Sequence, residues 1–153
     1  MKRLVFEDLT PDQWAGVLGY AGLAPFAAAC LGALLLPGEL AAFAARTLIA
    51  YGAVILSFLG GITWGLCVAS PALPVETARR EFLYSVCPSL LAWGCLLLPT
   101  HPALWLLAAG VALALAHDWW RADLLELPAW FRTLRWRLSA GATLALVLGA
   151  LYA

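Results

Sequence analysis

The chain has 153 residues, of which 64% are hydrophobic and 12% charged, and its formal net charge is zero. A soluble domain carries about 25% charged residues, so this composition excludes an ordinary soluble fold, and a mean hydropathy of +0.89 points to a bilayer. The neutral balance provides no basic surface for nucleic acid, and spans of about 20 residues each leave no room for a soluble domain within this length.

Residues 1–13 are short and polar. Lys2 and Arg3 would suit the basic start of a signal peptide, but the apolar run 14–36 is longer than the ~7–15 residues of a signal-peptide core. An uncleaved first helix is therefore expected. Glu7, Asp8 and Asp12 argue against a mitochondrial transit peptide, which is poor in acids. Thr10 can cap a helix, Pro11 suits the first helical position and Gln13 stands three residues after the cap. Helix one is predicted over 11–36, and Pro37-Gly38 breaks it. The second helix is predicted over 41–69 and ends before Pro71 and Pro74. A short loop carrying Glu76, Arg79 and Arg80 leads to the third, 81–98, closed by Pro99. The fourth covers 102–121. A polar connection, 122–137, with Leu127-Pro128 in its middle, overlaps the start of the fifth helix, 134–152. The expectation is an all-α membrane protein, a single integral membrane domain over 1–153 forming a bundle of five transmembrane helices.

The basic residues orient this bundle. Eight of the nine Lys and Arg residues (Lys2, Arg3, Arg79, Arg80, Arg121, Arg132, Arg135 and Arg137) fall on one side, and Arg46 alone on the other. Short loops rich in Lys and Arg stay in the cytoplasm, which predicts the N-terminus in and the C-terminus out. Trp119, Trp120, Trp130 and Trp136 gather at the inner boundary, and Trp105 and Tyr152 near the outer one, as an aromatic belt requires. Small residues recur every fourth position: Gly61 and Gly65; Ala108, Ala112 and Ala116; Gly141, Ala145 and Gly149. In lipid such faces let helices approach closely, and they read first as packing within the chain and second as dimer contacts. No internal repeat of the kind found in many transporters is visible.

Four stretches resemble one family: 18–26 (LGYAGLAPF), 51–65 (YGAVILSFLGGITWG), 85–93 (SVCPSLLAW) and 127–139 (LPAWFRTLRWRLS). Together they resemble the small bacterial membrane proteins related to mitochondrial transmembrane protein 69, a domain family of unknown function. The resemblance covers nearly the whole chain, and the Gly-Gly stretch of the second helix is its most specific part. Relatives often carry a basic residue just before the tryptophan of that stretch, where this chain has Thr63. The resemblance implies class and topology; it brings no reaction with it.

Most of the matching polar and aromatic positions map to the cytoplasmic half. The residues singled out as a pocket for a ligand or partner are Gly60, Gly61, Thr63, Trp64, Pro88, Trp93, His117, Asp118, Arg121, Arg132 and Arg135. Pro25 and Pro88 each remove a backbone hydrogen bond within a span, and a kink opens space. The plain reading is a packing kink and the sharper one a cavity wall. Asp118 is the acid nearest the membrane interior, where an ionisable group is a functional candidate by default. Arg121, three residues on, can pair with it on one helix face, and Arg132 or Arg135 can reach it from the next segment. Trp64 and Trp93 lie within spans, either packing helices or stacking on a flat ligand. His117 and His101 belong to opposite faces of the membrane and make no common metal site. Cys30, Cys67, Cys87 and Cys95 form no ligand pattern and read as small buried hydrophobes.

No nucleophile with its base and acid is recognisable, so a catalytic role is the least favoured. It would use Asp118 with Arg132 or Arg135 on a lipid or isoprenoid substrate. The leading expectation is a non-enzymatic multi-pass protein of a bacterial cytoplasmic membrane, without a cleaved signal peptide, that serves as accessory or assembly partner of a membrane complex or as a homo-oligomer. The alternative is a binder or transporter of a small apolar or amphipathic molecule (quinone-, porphyrin- or lipid-like) in a pocket near the cytoplasmic leaflet. The sequence names no cofactor.

Overall fold

The computed structural model describes residues 9–122 and 127–152. Lys2, Arg3, Glu7, Asp8, Asp123 and Glu126 lie outside the described residues. The elements are α1 (Pro11–Ala21), α2 (Leu23–Leu35), α3 (Gly38–Ala69), α4 (Val75–Cys95), α5 (Thr100–Arg121) and α6 (Ala129–Tyr152), and the described residues contain no strand. Because α1 and α2 run on as one kinked helix, the described residues form five helical rods. Among the described residues four are long and apolar enough to cross a bilayer: 11–35, 38–69, 100–121 and 129–152. The fifth rod, α4, packs between α3 and α5 but places Glu76, Arg79, Arg80 and Glu81 in its first two turns.

Local sequence accounts for the ends. Gln13 Oε1 accepts from the backbone N–H of Thr10 at 3.0 Å, closing the start of α1 as the Thr-Pro-Asp-Gln spacing predicts. Two helices start earlier than their apolar runs. α4 begins at Val75, and Glu76 pairs with Arg79 and Arg80 at 2.9 and 3.2 Å on its first turns. α6 begins at Ala129, directly after Pro128, which cannot continue a preceding helix but precedes a new one without strain. From Ala129 onward the polar connection is thus helix, and Arg132, Arg135 and Arg137 all stand on α6.

Three of the rods carry a buried stripe that leads to the site. On α4 it is Glu81, Ser85, Pro88, Ala92 and Cys95; on α5 Leu104, Leu107, Val111, Ala114 and Arg121; on α6 Arg135, Ser139, Ala142, Leu146 and Gly149. On α4 and α6 these spacings alternate between three and four residues, and on α5 they do so from Leu104 to Ala114, the seam of helices packed nearly parallel. The core is built from Leu48, Leu56, Leu104, Leu107, Val111 and Leu146, all fully buried. Gly141 meets Leu23, and Gly149 meets Leu48 and Leu104, so the small face of α6 packs within the chain. Ala108 is buried while Ala112 and Ala116 face outward, and Gly61 and Gly65 stand in the open. Large apolar side chains such as Phe43, Phe58, Leu90 and Leu113 point away from the core. Such a surface is stable only where lipid replaces water.

The kink in the first rod sets the path of α1. Pro25 has no N–H to give the carbonyl of Ala21, and the helix breaks at Gly22. The Tyr51 hydroxyl of α3 donates to the Gly22 carbonyl at 2.9 Å, and its ring meets Phe26 edge to face at 4.9 Å. Beyond this pin, α1 leans on α6, where Gly19 abuts Leu138 and Leu134, and it makes no close approach to α3.

Candidate functional site

The buried stripes of α4, α5 and α6 all end in charge at the same end of the bundle. Glu81, Arg121 and Arg135 are each 7% exposed. Glu81 on α4 forms an ion pair with Arg121 on α5, and His117 Nε2 lies 3.4 Å from the same carboxylate. The Tyr84 ring stacks on His117 with centroids 3.4 Å apart and planes 13° from parallel. Asp118 looks the other way, toward α6, where Arg135 binds it through Nε at 2.8 Å and also through Nη2. α5 is therefore the centre of the site, tied to α4 by one pair and to α6 by another. The two pairs cancel in charge. Taking an unpaired charge from water costs several kcal/mol, so each pair is a condition for packing these helix ends together. Arg121 Nη2 and His117 Nδ1 are buried without a hydrogen-bond partner among the described residues, so polar capacity is left over inside the cluster.

Next to this cluster, the wedge between α1 and α3 opens into a cleft of about 620 Å³. That lies within the ~300–1,000 Å³ typical of ligand pockets. Its walls are apolar: Leu18 on α1, Val54, Phe58 and Ile62 on α3, Leu134 and Leu138 on α6, with Phe26 and Tyr51 beneath. Arg135, its one charged lining residue, enters at one end beside Ser139, while the Tyr51 hydroxyl in the wall is taken by the Gly22 carbonyl. One arginine thus serves both features, bound to Asp118 and facing the cleft.

The residues singled out from the sequence divide into four groups. His117, Asp118, Arg121 and Arg135 come together in the charged cluster. Arg132 sits 5.4 Å over the Trp119 ring and shares a narrow crevice with Asp118 and Arg135. Gly60, Thr63 and Pro88 are buried at the crossing of α3 and α4. Gly61, Trp64 and Trp93 face outward; Trp64 packs edge to face on Phe82 at 4.8 Å, and Trp93 is 63% exposed. Of the partners expected for Asp118, Arg135 on the next segment binds it and Arg121 on its own helix does not. Three residues along α5, Arg121 points toward Glu81, which the interior of the bundle holds more tightly. Cys87 is exposed, whereas Cys30, Cys67 and Cys95 are buried. Glu81, Tyr84, Ser139 and the cleft walls were not singled out. Extending the stripe Cys95, Ala92, Pro88, Ser85 one more step would have found Glu81.

The fold and this cluster define a multi-pass helical membrane protein with a buried, charge-balanced lattice at one end. The chain belongs to the family described as "Protein of unknown function (DUF3429)", which it matches over residues 11–151. It is 38% identical to Transmembrane protein 69 of Xenopus tropicalis over 132 residues, covering 85% of this chain and 51% of the relative. It is 34% identical to Transmembrane protein 69 of Mus musculus over 117 residues, 75% of this chain and 46% of the relative. The chain thus spans about half the length of these curated relatives. No solved structure matches it.

Proposed function

We propose that the protein binds a small apolar or amphipathic molecule laterally from the bilayer, in the cleft between α1, α3 and α6. The observation that carries this reading is the cleft itself: a mostly apolar wedge whose one charged lining residue, Arg135, stands at one end beside Ser139. Its shape follows from the kink at Gly22 and Pro25, which holds α1 away from α3. A molecule with an apolar body and a polar tip matches that distribution.

The test fills the wedge from an exposed wall. Val54 lines the cleft and is 62% exposed, so Val54→Trp occupies the cleft without disturbing the core. Native mass spectrometry of protein released gently in its own lipids is expected to show a retained small molecule on the natural chain, reduced at least tenfold on Val54→Trp. Equal retention by both would sink the reading. The same spectra bear on the second reading, an accessory subunit of a membrane complex. It is favoured by the outward face of α3, where Gly61 and Gly65 offer a close-packing surface next to Trp64. A stoichiometric protein partner lost on Gly61→Leu would favour that role.

We further propose that α4 is a fifth span and that the arginine-rich end faces the cytoplasm of a bacterial inner membrane, with the N-terminus in and the C-terminus out. The support is the position of α4 between two apolar rods and the exposed Arg79, Arg80 and Arg137 at one end. A reporter fused after Tyr152 is expected to be active only in its periplasmic form; cytoplasmic activity would overturn the topology.

A further inference from the structure

The cleft has a polar end whose charge is already spent. Arg135 is the cation that lines it, and its Nε and Nη2 both bind Asp118. The other polar side chain there, Ser139, is neutral. Glu81 and Arg121 cancel each other within the same cluster. A carboxylate bound twice by one guanidinium neutralises it locally while leaving its remaining N–H groups as donors. An anionic head group placed there would gain those donors but would also meet Asp118 at close range, in a medium where like charges repel strongly. A carbonyl oxygen would take the donors without that repulsion.

We infer that the cleft selects amphiphiles with an uncharged hydrogen-bond acceptor as head group, such as an ester or quinone carbonyl, and that Asp118 enforces this choice by compensating Arg135. The inference rests on the cleft being a ligand site. Asp118 is a selectivity residue that acts through Arg135 and touches no ligand itself.

Two probes with the same chain separate the alternatives: methyl oleate, which ends in a neutral ester, and oleyl phosphate, which ends in an anion. Binding to the purified full chain in phosphatidylcholine nanodiscs is measured by native mass spectrometry in competition. The natural chain is expected to prefer methyl oleate at least tenfold. Asp118→Asn removes the compensating charge and keeps the shape, and is expected to invert the preference toward oleyl phosphate. Asp118→Asn paired with Arg135→Gln restores a neutral end and with it the preference for the ester, which guards against a single variant that does not fold. Oleyl phosphate binding the natural chain as well as methyl oleate, or an unchanged ratio in Asp118→Asn, overturns the selectivity while leaving the cleft a ligand site. Binding of neither probe, or binding that Val54→Trp does not reduce, overturns the site itself.

Discussion

Glu81→Gln is expected to destabilise the folded protein by about 3–5 kcal/mol, the range for breaking one side of a buried ion pair. Arg121→Gln is expected to cost clearly less. The asymmetry comes from acid–base chemistry. When Arg121 is removed, Glu81 can take up a proton and become neutral, with His117 3.4 Å away as a remaining partner. When Glu81 is removed, Arg121 cannot lose its charge, and it is only 7% exposed. Glu81→Leu combined with Arg121→Leu is expected to recover most of the loss, because apolar side chains of similar volume replace buried pairs at little cost. Thermal unfolding in nanodiscs, followed by tryptophan fluorescence, gives the order of the three variants. If Arg121→Gln proved the more damaging single change, the pair would not act as a strut between α4 and α5.

That strut also shows where sequence reading stops. The rods were legible because composition, proline positions and capping residues act locally. Thr10 with Gln13 starts α1, and Pro37 and Pro99 divide rods as expected. Asp118, Arg121 and Arg135 were legible as a polar group at one end of the bundle. Arg135 was one of three partners offered for Asp118 and Glu81 was not offered for Arg121, because pairing depends on which way each residue turns on its helix. Asp118 and Arg121 are three apart and can meet, yet α4 offers Glu81 to Arg121 and α6 offers Arg135 to Asp118 from opposite sides. In the sequence Glu81 reads as the rim of a loop, since the apolar run of α4 begins there; helix from Val75 onward places it in the second turn, facing α5. The cleft was the least legible of all. It depends on the direction α1 takes beyond Gly22, which the Tyr51 hydroxyl fixes from 29 residues away in the chain. Pro25 announced a kink, but a kink has no direction until its neighbours pack.

Two adjacent glycines make the last expectation. Gly60 and Gly61 differ by one position and by about 100° around the α3 axis. A Cβ on Gly60 would collide with the backbone carbonyl of Ser85 and touch Pro88 at 3.4 Å, while one on Gly61 would meet nothing. The Ser85 carbonyl belongs to helix backbone and cannot swing aside, so Gly60→Ala must push α3 and α4 apart. Separation there also strains the pair above it, because Glu81 stands one helical turn before Ser85 on the same stripe. Gly60→Ala is therefore expected to cost at least the ~1–3 kcal/mol of an overpacked core. Gly61→Ala should be neutral or stabilising by up to ~1 kcal/mol, through helix propensity alone. Melting curves of the two variants in the same nanodiscs decide the matter. Coincident curves would mean that α3 and α4 do not cross at Gly60. A large loss confined to Gly60→Ala would place the requirement for close backbone approach at that crossing, beneath the Glu81–Arg121 pair.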